Sequence, residues 1–143
     1  MAKKVRDAMT PEPRVADPSL SLAEAAQLMK SEDIGSLPVV QEGQLVAVLT
    51  DRDIVVRAVA ESADPSATKV GDIASRRPVT IEPDEDLDEA LAQMARAQVR
   101  RLPVVEGGRL VGVLAQADIA QEAKAKQAGE LVEEISKPTG PAA

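Results

Sequence analysis

Neither cysteine nor histidine occurs in this 143-residue chain, and Phe, Tyr and Trp are absent too. Without cysteine there can be no disulfide, no thiol nucleophile and no thiolate metal site. Without histidine, Ser-His-Asp and Cys-His catalysis are excluded, and the commonest zinc ligand is missing. The absence of aromatic rings removes the stacking platforms on which most binders of single-stranded nucleic acid rely. A carboxylate-only Mg²⁺ or Ca²⁺ site is the remaining metal option, and no stretch resembles an EF-hand loop. The hydrophobic fraction of 44% is ordinary for a globular protein, so a core must be built from Val, Leu, Ile, Ala and Met.

Positive charge is also scarce. The net charge of −7 argues against a general affinity for DNA, RNA or anionic membranes. Lys3, Lys4 and Arg6 are a local exception, and three basic residues at a terminus ordinarily form a solvated face. No apolar run approaches the roughly 20 residues needed to span a bilayer, and the N-terminus has no apolar h-region. The expectation is a soluble cytoplasmic protein with neither a nucleic-acid nor a membrane partner. Its length suits one domain or two closely joined halves.

What the chain does contain is a duplication, the feature to seek first because it decides the fold. Val5-Arg6-Asp7 aligns with Val70-Gly71-Asp72, an offset of 65 positions (70 − 5), and the alignment runs ungapped through Ala58 and Ala123. Pro13 and Pro18 meet Pro78 and Pro83. Leu22, Glu24, Ala25 and Met29 meet Leu87, Glu89, Ala90 and Met94. Leu37-Pro38-Val39-Val40 returns as Leu102-Pro103-Val104-Val105.

Each copy has the same local grammar. A short extended piece, Arg14 to Ala16 or Val79 to Ile81, leads to a Pro and a helix start. Ser21-Leu22-Ala23-Glu24 has the form of a capping box, with Asp86-Leu87-Asp88-Glu89 as its counterpart. Apolar residues at i, i+3, i+4 and i+7 then predict a helix over Leu22, Ala25, Ala26 and Met29, and again over Leu87, Ala90, Leu91 and Met94. Two β-type runs follow, Leu37 to Gln41 and Leu45 to Thr50, joined by Glu42-Gly43. Their counterparts, Leu102 to Glu106 and Arg109 to Ala115, are joined by Gly107-Gly108, and both pairs read as hairpins. A second helix is expected from Asp51 to Ala60 and from Gln116 onward.

One copy, with about 55 residues, is too small to close a core alone. The predicted class is therefore α+β, with two strand-helix-strand-strand-helix repeats packed sheet to sheet about a pseudo-two-fold axis. Residues 1–62 form the first repeat and 69–124 the second. The Ser-, Asp-, Pro- and Ala-rich stretch from Glu61 to Thr68 contains the connector, 63–68.

Val5-Arg6-Asp7-Ala8-Met9-Thr10-Pro11, Ile34-Gly35-Ser36-Leu37-Pro38-Val39-Val40 and Val48-Leu49-Thr50-Asp51-Arg52-Asp53-Ile54 together resemble a CBS motif. Val99-Arg100-Arg101-Leu102-Pro103-Val104-Val105 and Gly112-Val113-Leu114 match it again. The resemblance covers residue 3 to about residue 123, and is to the CBS pair, or Bateman module. In layout the chain is similar to the small stand-alone CBS pairs of bacteria, the hypoxic response group among them. The resemblance implies assembly into a homodimer. It also implies a regulatory role through an adenosine-containing ligand such as AMP, ADP, ATP or S-adenosylmethionine, and no resident cofactor.

The same resemblance assigns site residues. Thr50 and Asp53 occupy the positions that hold the ribose and phosphate in nucleotide-binding relatives. A carboxylate suits a vicinal diol, and a hydroxyl at a helix start joins N–H groups that favour anions. The plainer reading of Thr50-x-x-Asp53 is an N-terminal cap, and the two roles are compatible. The second copy keeps Asp118 but carries Ala115 in place of the hydroxyl, which makes its cleft the weaker candidate. Family positions just before the Leu-Pro-Val-Val strand place Arg100 and Arg101 against the phosphate of the Thr50 cleft, where Arg offers a bidentate fork. The alternative pairs them with Glu82, Asp84 or Asp86. Val79, Thr80 and Ile81 would flank an adenine in the stronger cleft, and Val39 and Val40 in the weaker one.

Beyond Ala123 the repeat ends. Residues 125–143 read as a helical extension interrupted by Gly129, with an apolar stripe of Leu131, Val132 and Ile135 and a stop at Pro138. Such a stripe docks on its own domain or a dimer partner, or recruits another protein. An enzyme would need a nucleophile–base pair or a metal constellation, whereas the acids here fall on helix starts and solvated faces. The leading expectation is a non-catalytic sensor acting through oligomerisation or a partner protein. The competing one is a ligand-free dimeric scaffold.

Overall fold

The computed structural model describes residues 3–122, so the expected extension at 125–143 lies outside the described residues. The elements of the first repeat are α1 (Val5–Ala8), β1 (Thr10–Pro11), α2 (Leu22–Glu32), β2 (Ser36–Gln41), β3 (Gln44–Thr50) and α3 (Asp51–Asp53), which widens into a π-helical stretch, Ile54–Val59. The second repeats them as α4 (Val70–Ile73), β4 (Ser75–Arg76), α5 (Leu87–Ala97), β5 (Arg101–Glu106), β6 (Arg109–Ala115) and α6 (116–122). The α+β class and the duplication read from the sequence are the observed architecture.

The helix starts form as local chemistry requires, with one difference between copies. Ser21 Oγ accepts from the Glu24 N–H at 3.1 Å, the expected cap of α2. Asp86 makes no such bond at α5 and instead accepts from Lys4 Nζ at 3.1 Å. A basic residue from the opposite repeat has drawn the capping side chain away. Both helices end on a left-handed residue, Asp33 at φ 53° and Gln98 at φ 55°. Both hairpins turn through two residues of positive φ, Glu42-Gly43 and Gly107-Gly108, as tight two-residue turns demand.

The repeats do more than pack together: each lends its leading segment to the other. β1 pairs with β6 (Thr10↔Val113), and β4 pairs with β3 (Ser75↔Val48). Val5 N–H donates to Glu85 O, and Val70 N–H to Leu20 O, both at 2.8 Å. Lys3 O receives the Leu87 N–H and Thr68 O the Leu22 N–H, each at 3.0 Å, so incoming chain satisfies the open N–H groups of α5 and α2. The pairs superpose under the 65-residue offset, which defines the pseudo-two-fold axis.

The hydrophobic cores follow the exchange. One gathers Leu22, Met29, Leu37, Val39 and Leu49 with Val70 and Ile73 from α4. The other gathers Ile81, Leu87, Met94, Leu102, Val104 and Leu114 with Val5 from α1. A Gln44↔Arg109 pairing links β3 to β6, so the two hairpins join one hydrogen-bonded strand system instead of forming two separate sheets.

Candidate ligand cleft between the repeats

Each repeat turns from strand to helix at an acidic residue. At the end of β3, Thr50 Oγ1 accepts from Asp53 N–H at 3.0 Å, and Asp53 Oδ2 accepts from Thr50 N–H at 3.0 Å. The capping-box reading of Thr50-x-x-Asp53 is thus observed. The Asp53 carboxylate also receives Ser75 Oγ from β4, at 3.3 and 3.4 Å to its two oxygens. At the matching junction Asp118 Oδ2 accepts from Ala115 N–H at 3.0 Å. Ala115 offers no hydroxyl, and Asp118 Oδ1 has no hydrogen-bond partner among the described residues.

A cavity of about 310 Å³ opens at Asp118. The first repeat supplies Thr10, Pro13, Arg14, Glu32 and Ile34 to its lining, and the second supplies Ala115, Ala117 and Asp118. Also lining it are Ser36 and Arg101, Pro38 and Pro103, and Val48 and Val113. Each of these three pairs is related by the repeat offset, so the cavity straddles the pseudo-two-fold axis and Arg101 stands beside it. The volume lies at the lower end of the range, roughly 300–1,000 Å³, that small-molecule sites occupy.

Arg101 opens β5 opposite Ala115 and is exposed. Among the described residues no acid lies within ion-pair distance of Arg100 or Arg101. Two of their anticipated alternative partners are engaged elsewhere, Asp84 with Arg6 and Asp86 with Lys4. The Arg6 guanidinium is held above its usual pKa by its hydrogen bond to Asp84 and that carboxylate's charge. Lys4 and Arg6 thus pair across the repeats while remaining on a solvated face, as the sequence suggested.

Of the residues singled out from the sequence, the cavity gathers Arg101 and Asp118. Thr50 and Asp53 stand together with Ser75 at the opposite junction. Arg100 is exposed and its carbonyl accepts from Gln116 N–H at 2.8 Å, fixing the entry to α6. Val79 and Thr80 are exposed, Val40 is half-buried, and the side chains of Ile81 and Val39 are committed to the two cores.

The sequence ranks the Thr50–Asp53 cleft first, yet the 310 Å³ cavity lies on the Asp118 side. The two junctions differ in bonding and in sequence. Two hydroxyls close on Asp53, and Arg52 stands at the position that Ala117 holds in the second copy. The sequence reading also passed over Thr10, Arg14 and Glu32. A signal for two of them was present: Arg14 and Glu32 align with Val79 and Ala97, a charged pair facing an apolar one.

The CBS-domain family model matches residues 5–59 and 70–125. The chain belongs to the CBS-domain family. It is 38% identical over 133 residues to the CBS domain-containing protein YhcV of Bacillus subtilis, covering 92% of this chain and 94% of that one. It is 36% identical over 119 residues to hypoxic response protein 1 of Mycobacterium tuberculosis, covering 82% and 83%. The crystal structure of Hypoxic Response Protein I, with two coordinated zinc ions, aligns at 36% identity and a TM-score of 0.77 over 83% of this chain and 98% of that chain. This CBS pair has neither His nor Cys, and its described residues hold no cluster of three acids suited to a metal.

Two further structures carry ligands. CBSX2 in complex with AMP is 27% identical, with a TM-score of 0.78 over 87% of this chain and 98% of that one. The CBS pair of MJ0100, in complex with 5′-methylthioadenosine and S-adenosyl-L-methionine, is 29% identical, with a TM-score of 0.75 over 88% and 99%.

Proposed function

We propose that this CBS pair is a non-catalytic regulatory protein that takes an adenosine-containing ligand in the cavity between its repeats. One observation carries the reading: Arg101, without an acidic partner among the described residues, and Asp118, with one oxygen unbonded among them, line the same 310 Å³ space. Asp118 Oδ1 suits a ribose diol, and the Arg101 fork suits a phosphate. With no aromatic ring available, Ile34, Pro38 and Val113 supply aliphatic walls for the purine. The AMP and S-adenosylmethionine complexes of CBSX2 and MJ0100 support this ligand class.

Occupancy at the axis bears on both repeats at once, and homodimerisation or a partner protein would carry that signal outward. Val55, Val56 and Val59, exposed on the π-helical stretch, supply an apolar face for such assembly. Among the described residues no helix is long and apolar enough to cross a membrane.

A second reading seats the ligand at Thr50 and Asp53 with Val79 and Thr80, and is favoured by Ser75, which adds a hydroxyl to that junction. Calorimetric titration with AMP, ATP and S-adenosylmethionine separates the two. Loss of binding in Asp118→Ala with retention in Asp53→Ala supports the first, and the reverse supports the second. No binding to the wild type leaves the ligand-free scaffold. Lacking Trp and Tyr, the protein is nearly transparent at 280 nm, so a 260 nm band in a nucleic-acid-free preparation reports a retained nucleotide.

A further inference from the structure

The rim of the cavity carries an ion pair that helix chemistry does not call for. Arg14 Nε lies 3.2 Å from Glu32 Oε1, and both residues line the cavity. Glu32 is the last residue of α2, where the helix dipole disfavours an acid. The pair is largely exposed and so adds little stability. The second repeat builds the same helix end with Ala97 and faces it with Val79.

We propose that Glu32 is a charge filter, which restricts the cavity to adenosine ligands bearing one phosphate or none and disfavours di- and triphosphates. This rests on the ligand reading above and adds the specificity of the same site. The charged side chains lining the cavity are Arg14, Arg101, Glu32 and Asp118, whose formal charges cancel. With Asp118 on the ribose and Arg14 paired to Glu32, Arg101 is the one cation among the described lining residues left for phosphate. A phosphate monoester carries about −1.5 to −2 charge at neutral pH, which one Arg fork matches. Each further phosphate adds negative charge close to Glu32, and the described lining residues hold no second unpaired cation to receive it.

The test is calorimetric titration of wild type, Glu32→Gln and Glu32→Ala with AMP and ATP, in EDTA at low salt so that no metal masks the phosphates. Glu32→Ala installs the residue that the second repeat already accommodates, so the fold tolerates it. Wild type should prefer AMP. Both variants should tighten ATP by about 10-fold relative to AMP, and 0.5 M NaCl should shrink the discrimination, on the order expected when one nearby charge is removed or screened. A wild type that binds ATP as tightly as AMP, or variants that move both nucleotides equally, overturns the filter while leaving the ligand site intact. Binding of neither nucleotide or of S-adenosylmethionine overturns the ligand reading, and the filter with it.

Discussion

Asp53 and Asp118 close their helix starts with the same bond: each accepts the N–H of the residue three positions before it, at 3.0 Å. They differ in what comes back. Asp53 N–H has the Thr50 hydroxyl as acceptor, whereas Ala115 has no hydroxyl to offer the Asp118 N–H. Thr50→Ala should therefore destabilise the protein by about 1 kcal/mol, the ordinary cost of a lost cap. Ala115→Thr, which completes the second box, should stabilise it by up to about 1 kcal/mol. Chemical denaturation of both variants checks the pair, and equal effects of the same sign would count against the capping account.

Val5 lies in the first repeat by sequence and in the core of the second by packing, fully buried with Leu87, Leu102 and Leu114. Val70 is its mirror in the other core. Val5→Ala should cost about 2 kcal/mol, from lost burial plus the residual cavity, and Val70→Ala about the same. Hydrogen exchange locates the damage. Val5→Ala should loosen α5, β5 and β6, and Val70→Ala should loosen α2, β2 and β3. Loosening confined to the substituted repeat would contradict the exchange of leading segments.

The duplication made the fold legible, because helix periodicity, turn glycines and the repeated Leu-Pro-Val-Val strand are local signals. The exchange was not legible. Thr10-Pro11 and Ser75-Arg76 are two-residue strands whose pairing is decided across the axis, and no local pattern announces it. The site was half legible for the same reason. Asp118 and Arg101 sit in motif positions. Arg14 and Glu32 are 18 residues apart in sequence and meet only because α2 returns to the cavity rim. The Ser75 hydroxyl reaches Asp53 from β4 of the other repeat, a contact that spacing alone does not encode.

A pH effect follows from Asp17, whose pKa is lowered by hydrogen bonds from the hydroxyl and the backbone N–H of Ser19. A carboxyl group with a folded pKa below its unfolded value contributes stability that is present above the unfolded value, about 3.9, and lost as pH falls through the folded one. Ser19→Ala removes the hydroxyl's hydrogen bond, the larger contribution, so the Asp17 titration should move up toward the ordinary carboxylate value. Carboxyl-detected NMR titration reads this directly. An unmoved midpoint would show that the hydroxyl is not responsible.

The two neighbouring arginines should separate cleanly, because only Arg101 lines the axial cavity. Charge-assisted hydrogen bonds contribute about 1.5–3 kcal/mol, so Arg101→Ala should weaken AMP by about 10- to 100-fold. Adenosine, which carries no phosphate, should lose little in the same variant, since its ribose and base contact other residues. Arg100→Ala should leave both ligands within about 3-fold of wild type, because its fixed role is the backbone bond from Gln116 N–H, which survives side-chain truncation. Titrating the two ligands against the two variants tests the orientation of the bound nucleotide as well as its presence. Equal losses of adenosine and AMP in Arg101→Ala would place the guanidinium at the nucleoside end, and the phosphate would then need a different cation from the rim.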